Sequence, residues 1–215
     1  MAPVSKKKKP PVPATKKPRL SQAEATVRML SATVQLLLEF APSDVTVVRI
    51  CEKAGVHTDY VVRYFGSREE LLSQAVESAF LGYFVKTESD EATRLKLVLD
   101  GNIDVLKLAK ARMQTITYLL GCGVSPERFQ ANQKLVLESV FAQSTSNTQV
   151  GDRTSKTLIL IGTLIVQAMN VLDEVNDISD QQKQDVLAYI GYMSQTGEAV
   201  QAALGWDKPV SKKRK

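Results

Sequence analysis

The residues best able to do chemistry in this 215-residue chain do not assemble a catalytic set. Its single histidine, His57, leaves histidine triads and histidine-based metal sites without material. Its two cysteines, Cys51 and Cys122, offer neither a disulfide framework nor a cluster of thiolate ligands, and fit an intracellular protein with reduced thiols. No glycine-rich phosphate loop with its lysine is present, and acid pairs such as Glu69-Glu70 and Asp173-Glu174 read as helix-end and surface charges. No catalytic residue, metal or cofactor is therefore expected. What the chain carries instead is recognition chemistry, between Thr46 and Phe65. On a short helix from about Thr58 to Tyr64, the side chains of Thr58, Asp59, Val62 and Arg63 fall on one outward face of a size to enter a major groove.

Such a face needs a scaffold, and the preceding residues have the spacing of a helix-turn-helix. Thr46 caps a short helix that ends near Ala54-Gly55. Cys51 supplies a small residue at the crossing, and Gly55 gives the turn its backbone freedom. Ile50, Ala54, Val56 and Val61 are spaced to hold the crossing from inside. Spacing alone fits an ordinary helical hairpin equally well.

Apolar residues recur at helical spacing nearly everywhere and no stretch alternates as a half-buried strand would, so the chain is expected to be all-α. Ser21 and Glu24 form a capping box that opens the first helix, with an apolar stripe at Val27, Leu30, Val34, Leu37, Leu38 and Ala41, before Ala41-Pro42 breaks it. Ser67 and Glu70 open a fourth helix running to about Lys86. Longer helices are predicted over 90–109, 112–120, 126–144, 153–173 and 180–204, with breaks at Gly121-Cys122-Gly123 and Ser125-Pro126 and a third capping box at Ser179 and Gln182. The segment from Leu158 to Leu172 is apolar almost all round, which predicts burial on more than one side. Val186, Tyr189, Ile190, Met193, Val200 and Leu204, with Gly197 on the same line, look like a seam between copies of the chain.

The net charge of +5 is segregated: residues 1–19 carry +7 and residues 206–215 carry +4, leaving −6 on the body. Two basic, proline-containing and aromatic-poor tails are expected to be disordered, and a polyanion is their natural partner. The opening MAPVSKKKKPPVP has no apolar core of a secretory signal, and the run from Leu158 to Val166 stops at Gln167, well short of the roughly 20 residues that span a bilayer. A soluble protein with no membrane partner is the expectation. The organisation read from these shifts is a basic arm (1–19), a helix-turn-helix domain (20–86), a larger helical domain (87–205) and a basic tail (206–215).

Ala54-Gly55-Val56, followed by Tyr64-Phe65-Gly66-Ser67-Arg68-Glu69-Glu70-Leu71-Leu72, resembles the amino-terminal domain of the TetR family of bacterial transcriptional regulators. The likeness covers about residues 20–86; beyond it only helix number and order agree. It implies a helix-turn-helix DNA-binding domain followed by a ligand-binding and dimerisation domain. Position by position, it implies phosphate contacts from Thr46, Tyr64 and Arg68 and base or backbone contacts from Thr58, Asp59, Tyr60 and Arg63, with Arg63 suited to a bidentate guanine contact. Two positions depart from the family pattern: His57 replaces a serine-like cap, and Val62 replaces a backbone-contacting tyrosine, where it could touch a thymine methyl. The domain itself carries six basic residues against eight acids, so Lys16, Lys17 and Arg19 of the arm are expected to supply affinity from the adjacent minor groove.

In the second domain, Asn102, Gln167 and Asn170 interrupt apolar lines, and buried amides need partners. They could bind one another, bind across a seam, or face a ligand beside Met113, Tyr118, Phe141 and Met169. The apolar lining favours a lipophilic or aromatic effector. The expected protein is thus a cytoplasmic homodimer, joined through helices 153–173 and 180–204, that binds a palindromic operator and is most simply a repressor released by a small molecule. Its rivals are a ligand-independent architectural DNA-binding protein and a helical ligand carrier that has lost DNA binding.

Overall fold

A computed structural model describes residues 20–84, 104–144 and 152–206. Among the described residues there are helices and no strands. Helix α1 (Gln22–Leu37) opens with the expected capping box: the Ser21 hydroxyl accepts from the Glu24 amide at 3.2 Å, and the Glu24 carboxylate accepts from the Ser21 amide at 2.9 Å. Burial along α1 is wider than a stripe, since every residue from Met29 to Val34 is buried. It is the hub of the small domain, packed against α2 (Val47–Ala54), α3 (Asp59–Phe65) and α4 (Arg68–Phe84). Each fully buried Met or Leu on it contributes roughly 2 kcal/mol of apolar transfer.

A single 3-10 turn, Pro42–Asp44, leads into α2, whose first turn is capped by Thr46 accepting from the Arg49 amide at 3.3 Å. Helix α2 ends on Gly55 in the left-handed region at φ 66°, where a side chain would be strained. Ile50, Cys51, Ala54 and Val61 are all buried in the apolar core, with Val56 packed against it, so the residues whose spacing predicted a buried side of the motif take that side.

The larger domain comprises α5 (Val105–Gly121), α6 (Glu127–Ser144), α7 (Asp152–Leu172), α8 (Asp180–Gln195) and α9 (Gly197–Ala203). Helix α4 packs on α5 and α6 as well as on α1 and α3, so it belongs to both halves. Two predicted boundaries are corrected. The break expected between 109 and 112 does not exist: Ala109, Lys110, Ala111 and Arg112 are all strong helix formers, and α5 runs through them from its Asp104 cap. The helix predicted over 180–204 is interrupted at Thr196, because the next residue is glycine, a poor residue for a helix interior. Gly197, where a close approach is expected, is buried at the start of α9, and a close approach is also found at Gly162, where a Cβ would stand 3.2 Å from Ile190 Cγ2.

Helix α7 also departs from expectation. It is long and apolar enough to cross a membrane by length and composition, yet among its residues only Thr154 and Ser155 are buried. One face, with Ile159 and Val166, lines an open cavity. Another, with Leu160, Ile161 and Leu164, is exposed, and Tyr189 and Tyr192 of α8 are exposed with it. Among the described residues none covers that exposed face.

Candidate nucleic-acid interface and the cavity behind it

Helix α3 sorts its side chains sharply. Val61 and Phe65 are buried, while Thr58, Asp59, Val62 and Arg63 are exposed, Val62 to 70%. Tyr60 and Tyr64 are half-buried one turn apart, their ring centroids 5.1 Å from each other, and the Arg63 guanidinium carbon lies 5.9 Å from the Tyr60 ring centroid. The tyrosines thereby flank the face presented by Arg63. His57 takes the capping role at the entry to α3, its Nδ1 accepting from the Asp59 amide at 3.4 Å. Thr46 is exposed at the start of α2, so its hydroxyl and the free amides of the first turn are open to an anion. Cys51, buried at the crossing, points its thiol toward the His57 carbonyl at 3.8 Å, and burial pushes its pKa up.

Arg68 is differently placed from the outward phosphate contact implied for it. Its side chain is 16% exposed, and its guanidinium donates to the carbonyl oxygens of Val45, at 2.8 Å, and Pro42, and to the Tyr118 hydroxyl on α5 at 3.1 Å. It therefore ties the loop preceding Thr46 to both α4 and α5. Nearby, the Ser67 hydroxyl accepts from the Glu70 amide, while the Glu70 carboxylate accepts from Arg128 of α6 at 2.5 Å and from Gln74, contacts that lower its pKa against the opposing effect of burial. Lys16, Lys17 and Arg19 lie outside the described residues.

Behind the reading head, helices α4 to α8 line an open cavity of about 450 Å³ with a mainly apolar lining. Met113, Gln167 and Asn170 line it, as the apolar interruptions suggested; Asn102 lies outside the described residues. Phe141 lines an adjoining cleft between α6 and α7, beneath the Lys156 ammonium at 5.0 Å. Tyr118 is not brought to the cavity: five residues beyond Met113 it lies on another side of α5, at Arg68. Met169 likewise falls off the line of Thr163, Val166, Gln167 and Asn170 along α7.

Sequence reasoning missed Glu77 and Arg112. Their side chains are 4% and 2% exposed, and Arg112 Nε donates to Glu77 Oε1 at 2.7 Å, joining α4 to α5; Arg112 also lines the cavity. The signal was available: Arg112 stands on the stripe of Leu108, Thr115 and Leu119, all buried, and a charge on such a line requires a partner.

These features define an all-helical protein that presents a helix-turn-helix at one end of a cavity-bearing bundle. Residues 29–75 match the family model of bacterial regulatory proteins of the tetR family. It is similar to HTH-type transcriptional regulator BetI of Stenotrophomonas maltophilia (strain R551-3), with 31% identity over 84 residues, covering 36% of this chain and 43% of the relative. It is also similar to HTH-type transcriptional regulator BetI 1 of Chromohalobacter salexigens, with 28% identity over 95 residues, covering 41% of this chain and 47% of that protein. The chain thus matches less than half the length of these relatives. A solved structure ascribed to a transcriptional regulator from Rhodococcus sp. RHA1 aligns with a TM-score of 0.48 and 15% identity, covering 80% of this chain and 95% of that one.

Proposed function

We propose that this protein is a homodimeric, sequence-specific DNA-binding regulator of transcription that acts as a repressor and is released by a small molecule. The observation that carries the reading is α3, whose buried Val61 and Phe65 anchor a helix that leaves Thr58, Asp59, Val62 and Arg63 free for base edges. Thr46 and Tyr64 contact phosphate on either side, Tyr60 steadies Arg63, and the arm with Lys16, Lys17 and Arg19 follows the minor groove. One recognition helix covers only a few base pairs, so two copies related by a two-fold axis read half-sites about 34 Å apart. The exposed apolar faces of α7 and α8 support a pairing of copies there: Leu160, Ile161, Leu164, Tyr189 and Tyr192 form a surface that a monomer would leave in water. The cavity supports a ligand site whose occupation favours a separation of the two α3 helices that no longer fits the operator. Such a protein works in the cytoplasm.

The test is selection of bound fragments from random and genomic DNA at about 150 mM salt, where purely electrostatic binding is suppressed. An inverted repeat is expected. Recovery of DNA without a consensus would assign the affinity to the basic tails and overturn sequence-specific regulation.

A further inference from the structure

The face of α7 that lines the cavity carries a polar row. Thr163, Gln167 and Asn170 stand four and three residues apart, about 10 Å from end to end along the helix, on the same face as Ile159 and Val166. Among the described residues the Thr163 hydroxyl and the Asn170 amide have no hydrogen-bond partner. Gln167 is half used. Arg112 Nη1 can only donate, which fixes Gln133 with its Oε1 toward the guanidinium at 3.3 Å, and the same oxygen accepts from Gln167 Nε2 at 3.5 Å. Gln133 Nε2, a donor, and Gln167 Oε1, an acceptor, are left over. The partnerless side-chain atoms that are sealed from solvent, among the described residues, belong to Ser73, Glu77 and Arg112 and not to this row. The free groups of Thr163, Gln133, Gln167 and Asn170 therefore keep accessible surface, on residues that line the cavity.

We propose that the cavity takes an uncharged molecule with one polar and one apolar face, its hydroxyl or carbonyl groups set in a row against Thr163, Gln167 and Asn170. This rests on the regulatory reading for its consequence, release of DNA, but not for the binding itself. The lack of charge follows from the lining. Among the described residues Arg112 is the one charged residue there, its side chain is 2% exposed, and Glu77 meets its charge at 2.7 Å. A ligand carboxylate or ammonium would leave water with no opposite charge to receive it. The spread of the polar groups follows from the length of the row. A chain with one polar head would pair with one member and strip water from the others without replacing it. The apolar back of the ligand meets the rest of the lining, with Met113 of α5, Val136 and Val140 of α6, and Leu187 and Ile190 of α8. The cavity volume lies within the range that holds drug-sized ligands, roughly 300 to 1,000 Å³.

The test uses the full chain and three probes that share one steroid skeleton, each kept below its micelle concentration, with affinities read by calorimetry. Methyl cholate is uncharged and carries three hydroxyls on one face, methyl lithocholate is uncharged and carries one, and cholate adds a carboxylate to the three hydroxyls. Methyl cholate should bind at least about tenfold more tightly than methyl lithocholate, for two further hydrogen bonds, and more tightly than cholate. Thr163→Val combined with Asn170→Leu removes both ends of the row at half-buried positions while nearly keeping the bulk. This double variant should still bind methyl lithocholate and should narrow the preference for methyl cholate to about threefold or less. Equal affinity for the two esters, tightest binding of cholate, no binding of any probe, or an undiminished preference in the double variant would each overturn the proposal. The ranking of probes on the unaltered chain decides it even where the variant does not fold. Selection of DNA by the same preparation separates the two readings: an inverted repeat without the preference for methyl cholate sinks only this inference, and that preference without an inverted repeat sinks only the regulator.

Discussion

Arg68 offers two incompatible uses of one guanidinium, and replacing it with methionine separates them. In the structure its donors go to the Val45 and Pro42 carbonyl oxygens and the Tyr118 hydroxyl, and its side chain is 16% exposed. Methionine keeps most of the stem packing and removes every donor. Two charge-assisted bonds to backbone carbonyls and one to a phenol, each worth about 0.7 to 1.3 kcal/mol net, put the loss at about 2–4 kcal/mol. With a urea slope of about 2 kcal/mol/M, the unfolding midpoint should fall by about 1–2 M at fixed protomer concentration. Operator binding measured from low to moderate salt should keep its slope, because no phosphate contact has been removed. A phosphate ligand behaves oppositely: the slope of log affinity against log salt would shrink by about 0.9 per protomer, with the midpoint unmoved. That second pattern would refute the placement of Arg68 as an internal strut.

Four further outcomes are expected. Arg63→Ala should cost about 1–3 kcal/mol of discrimination at one base pair in each half-site, read by competition with single-base operator variants, while unfolding stays unchanged. Leu164→Arg, at a position 55% exposed in the single chain, should give monomers in sedimentation velocity and lose cooperative operator binding. Asp173 is held at a pKa of about 2, below its ordinary 3.8, by Lys183 first and Lys110 second, against the opposing effect of burial. Its depressed pKa means that its stabilisation is complete above about pH 4 and lost as pH falls toward 2. Asp173→Asn should therefore cost about 1–2 kcal/mol at neutral pH, discounted for the partly exposed lysines, and flatten the acid limb of the stability curve in urea titrations. Finally, Tyr118→Phe combined with the Glu77→Met and Arg112→Met pair should show a non-additive effect on operator affinity of at least about 0.5 kcal/mol; additivity within about 0.3 kcal/mol would mean that the two links act independently.

The small domain was legible because its determinants are local. The capping box at Ser21 and Glu24, the Thr46 cap, the left-handed Gly55 and the buried set Ile50, Cys51, Ala54 and Val61 each follow from a few neighbouring residues. The capping box at Ser179 and Gln182 was readable for the same reason. What escaped depends on partners distant in sequence. Arg68 looks like a surface residue at a helix start until the loop at Pro42 to Val45 and Tyr118 of α5 are brought to it. Glu77 and Arg112 are 35 residues apart, and only their shared positions on two buried stripes hinted that they meet. Of the seven residues expected at a ligand site, Met113, Gln167 and Asn170 line the cavity, because helical spacing fixes which side of a helix a residue takes but not which neighbour that side meets.

The two long-range polar links fall on the same pair of helices, and this gives the fold a path between its halves. Arg68 and Glu77 are nine residues apart on α4, about 13 Å along the axis, and each reaches across to α5, at Tyr118 and Arg112 respectively. At the near end, Arg68 fixes the loop that delivers Thr46 to the start of α2, while α3 packs directly on α4. At the far end, Arg112 of the ion pair with Glu77 lines the cavity. Under the proposed function, a ligand in the cavity would act on α5 through Arg112, and α4, one continuous helix from Arg68 to Phe84 that packs on α1, α3 and α5, is the element by which a shift would reach α3 and the loop held by Arg68. In the proposed dimer such a shift would alter the spacing of the two recognition helices, on which simultaneous engagement of both half-sites depends.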